Sequence, residues 1–400
     1  MQVGVRRERC AGERRVAATP ETVKQLTALG LHVAVESDAG AAAGYSDDAF
    51  AAAGAAVVPD LLPETLDVLL HVRPLTPEVA AALRTGSITV GFGSPASELP
   101  AVRALADAGV TSFALELVPR ISRAQSMDAL SSQSLVSGYR AVLEAALRYP
   151  RFFPLYMTAA GTIPPARVLV LGAGVAGLQA IGTAKRLGAR VSANDIRAAS
   201  ADEVASMGGT FIHLDLDVRT ADAQTADTRT ADARTADASA QGSGGYAREL
   251  GEDRAKRQRA LLAPHVAAAD VLITTAAIPG RAAPLLVTLD MVAGMRAGSV
   301  VVDLAAESGG NVEGVQAGQD LLIPVAGGSV TLVGLRDAAS AMPSDASRLF
   351  AKNVANLLAL MTTGGEVVPD FDDDVVAGAC LTHAGTVRHA ATANAMEALK

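Results

Sequence analysis

The sequence contains no tryptophan, and aromatic residues make up only 3% of its 400 positions. That scarcity removes the stacking platforms on which single-stranded nucleic acids lie. Net charge is −8 with no long basic run, so the clustered positive footprint of a nucleic-acid binder is missing too. Cysteine is nearly absent. Cys10 and Cys380 stand far apart, with no CxxC pair and no apolar leader after Met1, so both read as reduced thiols of a cytosolic chain. No run reaches the roughly 20 apolar residues that a bilayer span needs. The nearest, Val168 to Ala184, is broken by Gly172, Gly174, Gly177, Gln179 and Thr183. The expectation is a soluble chain with no metal site and no nucleic-acid partner.

Half of the residues are hydrophobic, mostly Ala, Val and Leu, which suits close packing of helices on sheets. Four hundred residues exceed one ordinary core, so two domains are expected. Val3 to Glu8 opens like a short strand. Thr19-Pro20-Glu21 then supplies an N-cap, a proline at the first helical position and an acid in the first turn. Buried strands are expected at 31–36, 68–72 and 88–91, with helices at about 77–84 and 98–108 between them. Leu130 to Tyr149 has a helical pattern and links to a second alternation of strands and helices. Its strands are expected at 168–171, 191–194, 271–274, 300–304 and 332–333.

Such alternation implies parallel sheets. The expected fold class is α/β: two Rossmann-like domains with parallel sheets flanked by helices, separated by a cleft. The first comprises 1–130 plus 338–400, the second 131–337. Thr220, Thr225, Thr230 and Thr235 each open a Thr-Ala-Asp triplet, a period of five that matches neither helix nor strand. This polar stretch, about 218–243, reads as a mobile low-complexity insertion too short in repeat for a solenoid.

The sharpest motif is Arg167-Val-Leu-Val-Leu-Gly172-Ala-Gly174-Val175-Ala176-Gly177, a GxGxxG directly after a strand and opening a helix. Gly172 would make the tight turn and Gly174 would let the backbone approach a pyrophosphate. Gly177 would let the helix pack on the strand, its N-terminus facing the phosphate charge. The following strand ends at Asp195, where an acid accepts hydrogen bonds from the adenosine ribose, with Ile196 and Arg197 beside it. A carboxylate there repels a 2′-phosphate and favours NAD(H), whereas Arg197 can accommodate such a phosphate.

A second stretch, Arg120-Ile-Ser122-Arg123-Ala-Gln125-Ser-Met-Asp128-Ala-Leu-Ser131-Ser132-Gln133, carries a capping-box pattern at Ser122 and Gln125. A helix from Ser122 would bring Gln125, Asp128, Ser131 and Ser132 onto one face. Beside Arg120, that polar stripe suits a carboxamide such as that of nicotinamide. The alternative is a capped helix whose Asp128–Arg120 or Asp128–Arg123 ion pair closes a domain junction.

These stretches resemble a known family. Pro119 to Gln133, Met157 to Ala180, Gly244-Gly-Tyr-Ala-Arg-Glu-Leu-Gly251 and Leu349-Phe-Ala-Lys-Asn353 are similar to domain I of proton-translocating nicotinamide nucleotide transhydrogenases. The resemblance covers nearly the whole chain outside the Thr-Ala-Asp repeat. It implies that Arg120, Asp128 and Ser131 contact the nicotinamide end of NAD(H). Gln125 would face the second nucleotide, NADP(H), on a partner beta subunit, and Tyr246 would lie in a mobile loop over bound NAD(H). It further implies a homodimer, held at the cytoplasmic face of the inner membrane by membrane-spanning subunits that are separate chains. Leu335-Arg-Asp-Ala-Ala-Ser340 departs from the family's Thr-Asn-Val-Pro-Ser-Arg-like run, and Arg281-Ala282 from its usual Lys-Pro.

The implied activity passes a hydride between two cofactors, so the protein apposes two rings and needs no general base. An alanine dehydrogenase, whose opening Gly12-Glu-Arg-Arg15-Val-Ala-Ala-Thr-Pro20 resembles, would need an acid/base and a cation for a 2-oxo acid. Its His position reads Gly91-Phe-Gly-Ser-Pro95 here, its Lys position reads Arg73, and His71 reads as a strand residue at a core edge. A non-catalytic NAD-binding protein is the remaining class.

Overall fold

A computed structural model describes residues 1–216, 251–277 and 280–398, and the chain divides into two compact units. Met1–Val136 with Ala339–Lys400 forms the first, and Ser137–Ala338 the second. The Thr-Ala-Asp repeat and Tyr246 lie outside the described residues.

In the first unit, β1 (Gln2–Val5), β2 (His32–Glu36), β3 (Ala56–Val58), β4 (Val68–Leu70), β5 (Ile88–Gly91) and β6 (Thr111–Ala114) are parallel, in the order β3-β2-β1-β4-β5-β6. Val3, Val5, Val68, Leu70 and Val90 are fully buried, as expected of strands covered on both faces. The helix Pro20–Ala28 begins where the sequence indicates: Thr19 accepts from the Thr22 amide, and Thr22 Oγ1 accepts from the Thr19 amide at 2.8 Å.

The second unit takes in the latter part of the helix Ala129–Arg148 and then an isolated hairpin, β7 (Tyr156–Thr158) and β8 (Gly161–Ile163). Its main sheet takes β9 (Arg167–Leu171), β10 (Arg190–Asn194), β11 (Thr210–Phe211), β12 (Val271–Thr274), β13 (Val300–Asp303), β14 (Asp320–Val325) and β15 (Gly328–Gly334) in the order β11-β10-β9-β12-β13-β15-β14. Both units thus use the Rossmann order, in which the chain reverses direction across the sheet beside the first strand. The sheet is not wholly parallel. β14 runs antiparallel to β15, since a short turn at Ala326-Gly327 folds it straight back.

The C-terminal segment completes the first unit. The helix Pro343–Met361 buries Phe350, Leu357 and Leu358. A small hairpin, β16 (Thr362–Thr363) with β17 (Glu366–Val367), follows, and then β18 (Cys380–His383) and β19 (Thr386–Val387). β18 pairs antiparallel with β6, giving an eight-stranded first sheet.

Candidate functional site

In the second unit, everything turns on the end of β9. Gly172 has φ +98°, and a Cβ there would meet Thr275 Oγ1 at 2.7 Å, so neither the turn nor its surroundings admit a side chain. Thr275, at the end of β12, donates to the Gly172 carbonyl at 2.9 Å and fixes the turn from behind. A Cβ on Gly177 would lie 1.8 Å from the Gly172 oxygen, which is the close helix-to-turn packing the motif requires. Gly174, by contrast, faces open space: a Cβ there would meet nothing within 4 Å. It caps the helix Val175–Arg186 without a side-chain hydrogen bond, so the amides of Val175, Ala176 and Gly177 point outward beneath that space. Lys185 and Arg186 end the helix, completing its dipole.

Asp195 follows β10. Its Oδ2 accepts from the Ala173 amide at 2.8 Å, binding the acid directly to the glycine turn. Arg197 forks onto it, Nε to Oδ1 and Nη2 to Oδ2 at 2.9 Å each, and the Arg197 amide also donates to Oδ1 at 2.9 Å. Next to them opens a recess of about 90 Å³ lined by Asp195, Ile196, Phe211, His213, Leu214 and Gln258, among others. The turn thus offers outward amides, a carboxylate and a recess, groups that could suit the pyrophosphate, ribose and base of a dinucleotide. Unlike Asp195 and Ile196, the residues Thr275, Phe211, His213 and Leu214 carry no local sequence signal, because only the sheet order brings β11 and β12 to the two sides of this turn.

In the first unit, the helix expected from Ser122 is two pieces. Ser122–Met127 is a 3-10 helix with no side-chain cap, and the α-helix begins at Ala129 and continues to Arg148. Asp128 separates them, with its Oδ1 accepting from the Ser131 amide at 2.9 Å and its Oδ2 from the Ser131 hydroxyl. Asp128 is therefore the N-cap, which the Ser122–Gln125 pattern concealed. The single polar face expected for Gln125, Asp128, Ser131 and Ser132 is replaced by a rigid cap at Asp128–Ser131 and an exposed Gln125 upstream. Arg123 does not pair with Asp128. It forks onto Asp373 with two bonds of 2.8 Å and reaches Asp374. Arg120 is exposed and Ser132 donates to Asn353 Oδ1 at 2.7 Å.

The positions that an alanine dehydrogenase would use lie in the same unit. Glu13, fully buried at its side chain, holds both Arg15 and Arg73 at 2.7 Å. Burial opposes its ionisation, yet the hydrogen bonds and charge of Arg15, with that of Arg73, win and hold its carboxyl at about 2. His71 is 3% exposed, and its Nδ1 lies 2.7 Å from the Arg73 carbonyl. A carbonyl only accepts, so Nδ1 carries the proton. Burial, aided by the charge of Arg6, pulls this imidazole down to about 4. His71 is thus a neutral core residue rather than a proton carrier near neutral pH. Among the described residues there is no cluster able to hold a metal ion, and no helix is long and apolar enough to cross a membrane.

Comparisons with known proteins agree with this geometry. Residues 4–137 match the alanine dehydrogenase/PNT N-terminal domain and residues 141–390 the alanine dehydrogenase/PNT C-terminal domain. An NAD(P) transhydrogenase subunit alpha chain of Rhodospirillum rubrum is 44% identical over 400 residues, spanning 98% of each chain. The crystal structure of transhydrogenase from Sinorhizobium meliloti superposes with a TM-score of 0.80 at 41% identity, covering 98% of this chain and all of that one. Alanine dehydrogenase of Bacillus subtilis is more distant, at 30% identity over 326 residues, 79% of this chain and 73% of that one.

Proposed function

The chain belongs to the alanine dehydrogenase/PNT family, and from that premise we propose that it is the NAD(H)-binding alpha subunit of a proton-translocating NAD(P) transhydrogenase. The observation that carries the reading is the acid-tipped glycine turn, in which Asp195 is bonded to the Ala173 amide beside the open space over Gly174. The amides of Val175, Ala176 and Gly177 receive the pyrophosphate, and Asp195 receives the adenosine ribose, with Ile196 and Arg197 beside it. Asp195 disfavours a 2′-phosphate, so NAD(H) rather than NADP(H) is the nucleotide of this chain. Arg120, Asp128 and Ser131 hold the nicotinamide end, the last two already locked to each other as cap and capped residue. The family resemblance assigns Tyr246, outside the described residues, to the same nucleotide.

NADH supplies the hydride, which passes to NADP⁺ on a beta subunit. The residues of this chain orient the donor ring and, through exposed Gln125, meet that partner. Neither carbon exchanges a proton with the protein, which agrees with the neutral, buried state of His71. Proton movement belongs to membrane-spanning subunits, which hold the chain against the cytoplasmic face of the inner membrane. Assembly as a homodimer is supported by the hairpin region, where Phe152, Leu155, Tyr156 and Met157 are 52%, 50%, 45% and 75% exposed.

The test is hydride transfer from NADH to an NADP⁺ analogue, with and without an added NADP(H)-binding transhydrogenase domain, beside a cuvette of NADH, pyruvate and ammonium. Turnover only with the added domain is expected. Turnover with pyruvate and ammonium would make the chain an amino-acid dehydrogenase, and silence in both with NADH bound would make it a nucleotide-binding protein without transfer.

A further inference from the structure

We propose that Asn353 and Asn356, on the helix Pro343–Met361, are positioning residues for the loop that presents Gln125. The inference rests on the transhydrogenase reading above and deepens it. Asn353 is 6% exposed and uses both ends of its amide: Oδ1 accepts from Ser132 Oγ at 2.7 Å, and Nδ2 donates to the Ser126 carbonyl at 2.9 Å. Asn356, on the same face of the helix, donates to the same carbonyl at 2.9 Å. A carbonyl can only accept and has two lone pairs, so the orientation of both amides is fixed and the acceptor is filled.

That carbonyl belongs to the residue directly after Gln125. The segment Ser122–Met127 is a 3-10 helix of 6 residues, longer than such runs usually persist on their own bonds. It is held from outside: by Arg123 on Asp373 near one end and by the two asparagines on Ser126 near the other. Gln125 is itself exposed, so its direction follows from the backbone that these clamps hold. Ser126 is exposed as well, and water replaces a lost donor there at little cost to folding. The two asparagines therefore act on the geometry of transfer more than on stability. A misplacement of about 1 Å in a transfer geometry costs up to about 100-fold in rate.

The experiment uses the full chain carrying Asn356→Ala, Asn353→Asp or both. The second substitution keeps the acceptor for Ser132 and loses the donor to Ser126. Three quantities are read: amide hydrogen exchange over residues 122–127, NADH affinity, and kcat for transfer to the NADP⁺ analogue with the NADP(H)-binding domain added. In the double variant, exchange over 122–127 should quicken and kcat should fall about tenfold or more, while NADH affinity stays within about twofold. Its kcat should recover as pH falls, because the carboxyl introduced by Asn353→Asp, once protonated, donates to Ser126 in place of the amide. A purely structural role would instead lower the melting temperature and quicken exchange across the whole unit rather than over 122–127 alone. Unchanged exchange, an unchanged kcat, or a loss confined to NADH affinity would overturn the inference. The parent chain serves as the control on the underlying reading, and Gln125→Asn as the control on the loop. If the parent itself transfers no hydride with the added domain, the reading falls and this inference with it; if Gln125→Asn leaves transfer intact, or slows it while the double variant does not, the reading stands and only this inference falls.

Discussion

Gly174 and Gly177 lie three residues apart in one motif, yet alanine at each should fail in a different way. At Gly177 the new methyl group would sit 1.8 Å from the Gly172 oxygen and 2.9 Å from its carbonyl carbon, both backbone atoms that cannot rotate aside. Overpacking of this kind costs about 1–3 kcal/mol. At roughly 2–4 °C per kcal/mol for a unit of this size, Gly177→Ala should melt some 2–12 °C below the parent. At Gly174 the methyl group meets nothing within 4 Å, and φ is −76°, which alanine adopts without strain. Alanine is a poorer N-cap than glycine. The loss is offset by about 0.4–1 kcal/mol from a stiffer unfolded chain, so stability should change by less than about 1 kcal/mol. The methyl group occupies the space over the outward amides, where the pyrophosphate belongs. Losing one hydrogen bond to a charged group, about 1.5–3 kcal/mol, weakens NADH by roughly 10- to 100-fold. Thermal melts paired with NADH titration by calorimetry read both quantities on the same samples. A Gly174→Ala protein that binds NADH like the parent would refute the reasoning about that space. A Gly177→Ala protein that melts with the parent would refute the packing argument.

Asp195→Asn keeps the shape of the acid but releases Arg197 from its fork. NADH affinity should fall about tenfold and the preference for NADH over NADPH should narrow, read as the ratio of the two dissociation constants. Stability should decline between pH 6.5 and about 4, because the unfolded chain protonates His71 first while the folded imidazole waits until about 4. Below that, Glu13 adds a second loss as pH falls from its ordinary 4.5 toward about 2. His71→Asn, which preserves a donor toward the Arg73 carbonyl, should flatten the upper window by an amount on the order of 3 kcal/mol, read as urea midpoints at pH 7, 5.5 and 4.5. Met157→Glu charges the exposed hairpin and should leave the chain monomeric in sedimentation velocity, with NADH affinity intact.

The nucleotide turn was legible in the sequence because all of its requirements are local. Strand, glycines, helix and Asp195 lie within one β-α-β unit, and each residue's task follows from its place in that unit. The loop before the long helix was legible in composition but not in geometry. Ser122 and Gln125 form a valid capping pattern, and only the competing bond between Asp128 and Ser131 reveals where the α-helix starts. Asn353 and Asn356 could not be read as partners of Ser126, since nothing local relates positions so far apart in the chain. β14, β18 and β19 escaped for a related reason. They join antiparallel at the margins of their sheets, with β18 between β6 and the edge strand β19, outside the strand–helix alternation.

The seating of β18 against β6 has a consequence for how the chain is made. The ribosome releases β18 roughly 270 residues after β6, which at about 5–20 residues per second is roughly 15 to 50 seconds. Through that interval the open edge of Thr111–Ala114, whose side chains are all buried in the finished sheet, has no strand to pair with. The second unit is continuous in sequence and can close in the meantime. Biogenesis is thus asymmetric: the second unit can mature first, and the first waits, exposed to chaperones or to aggregation, for the strand that covers its edge.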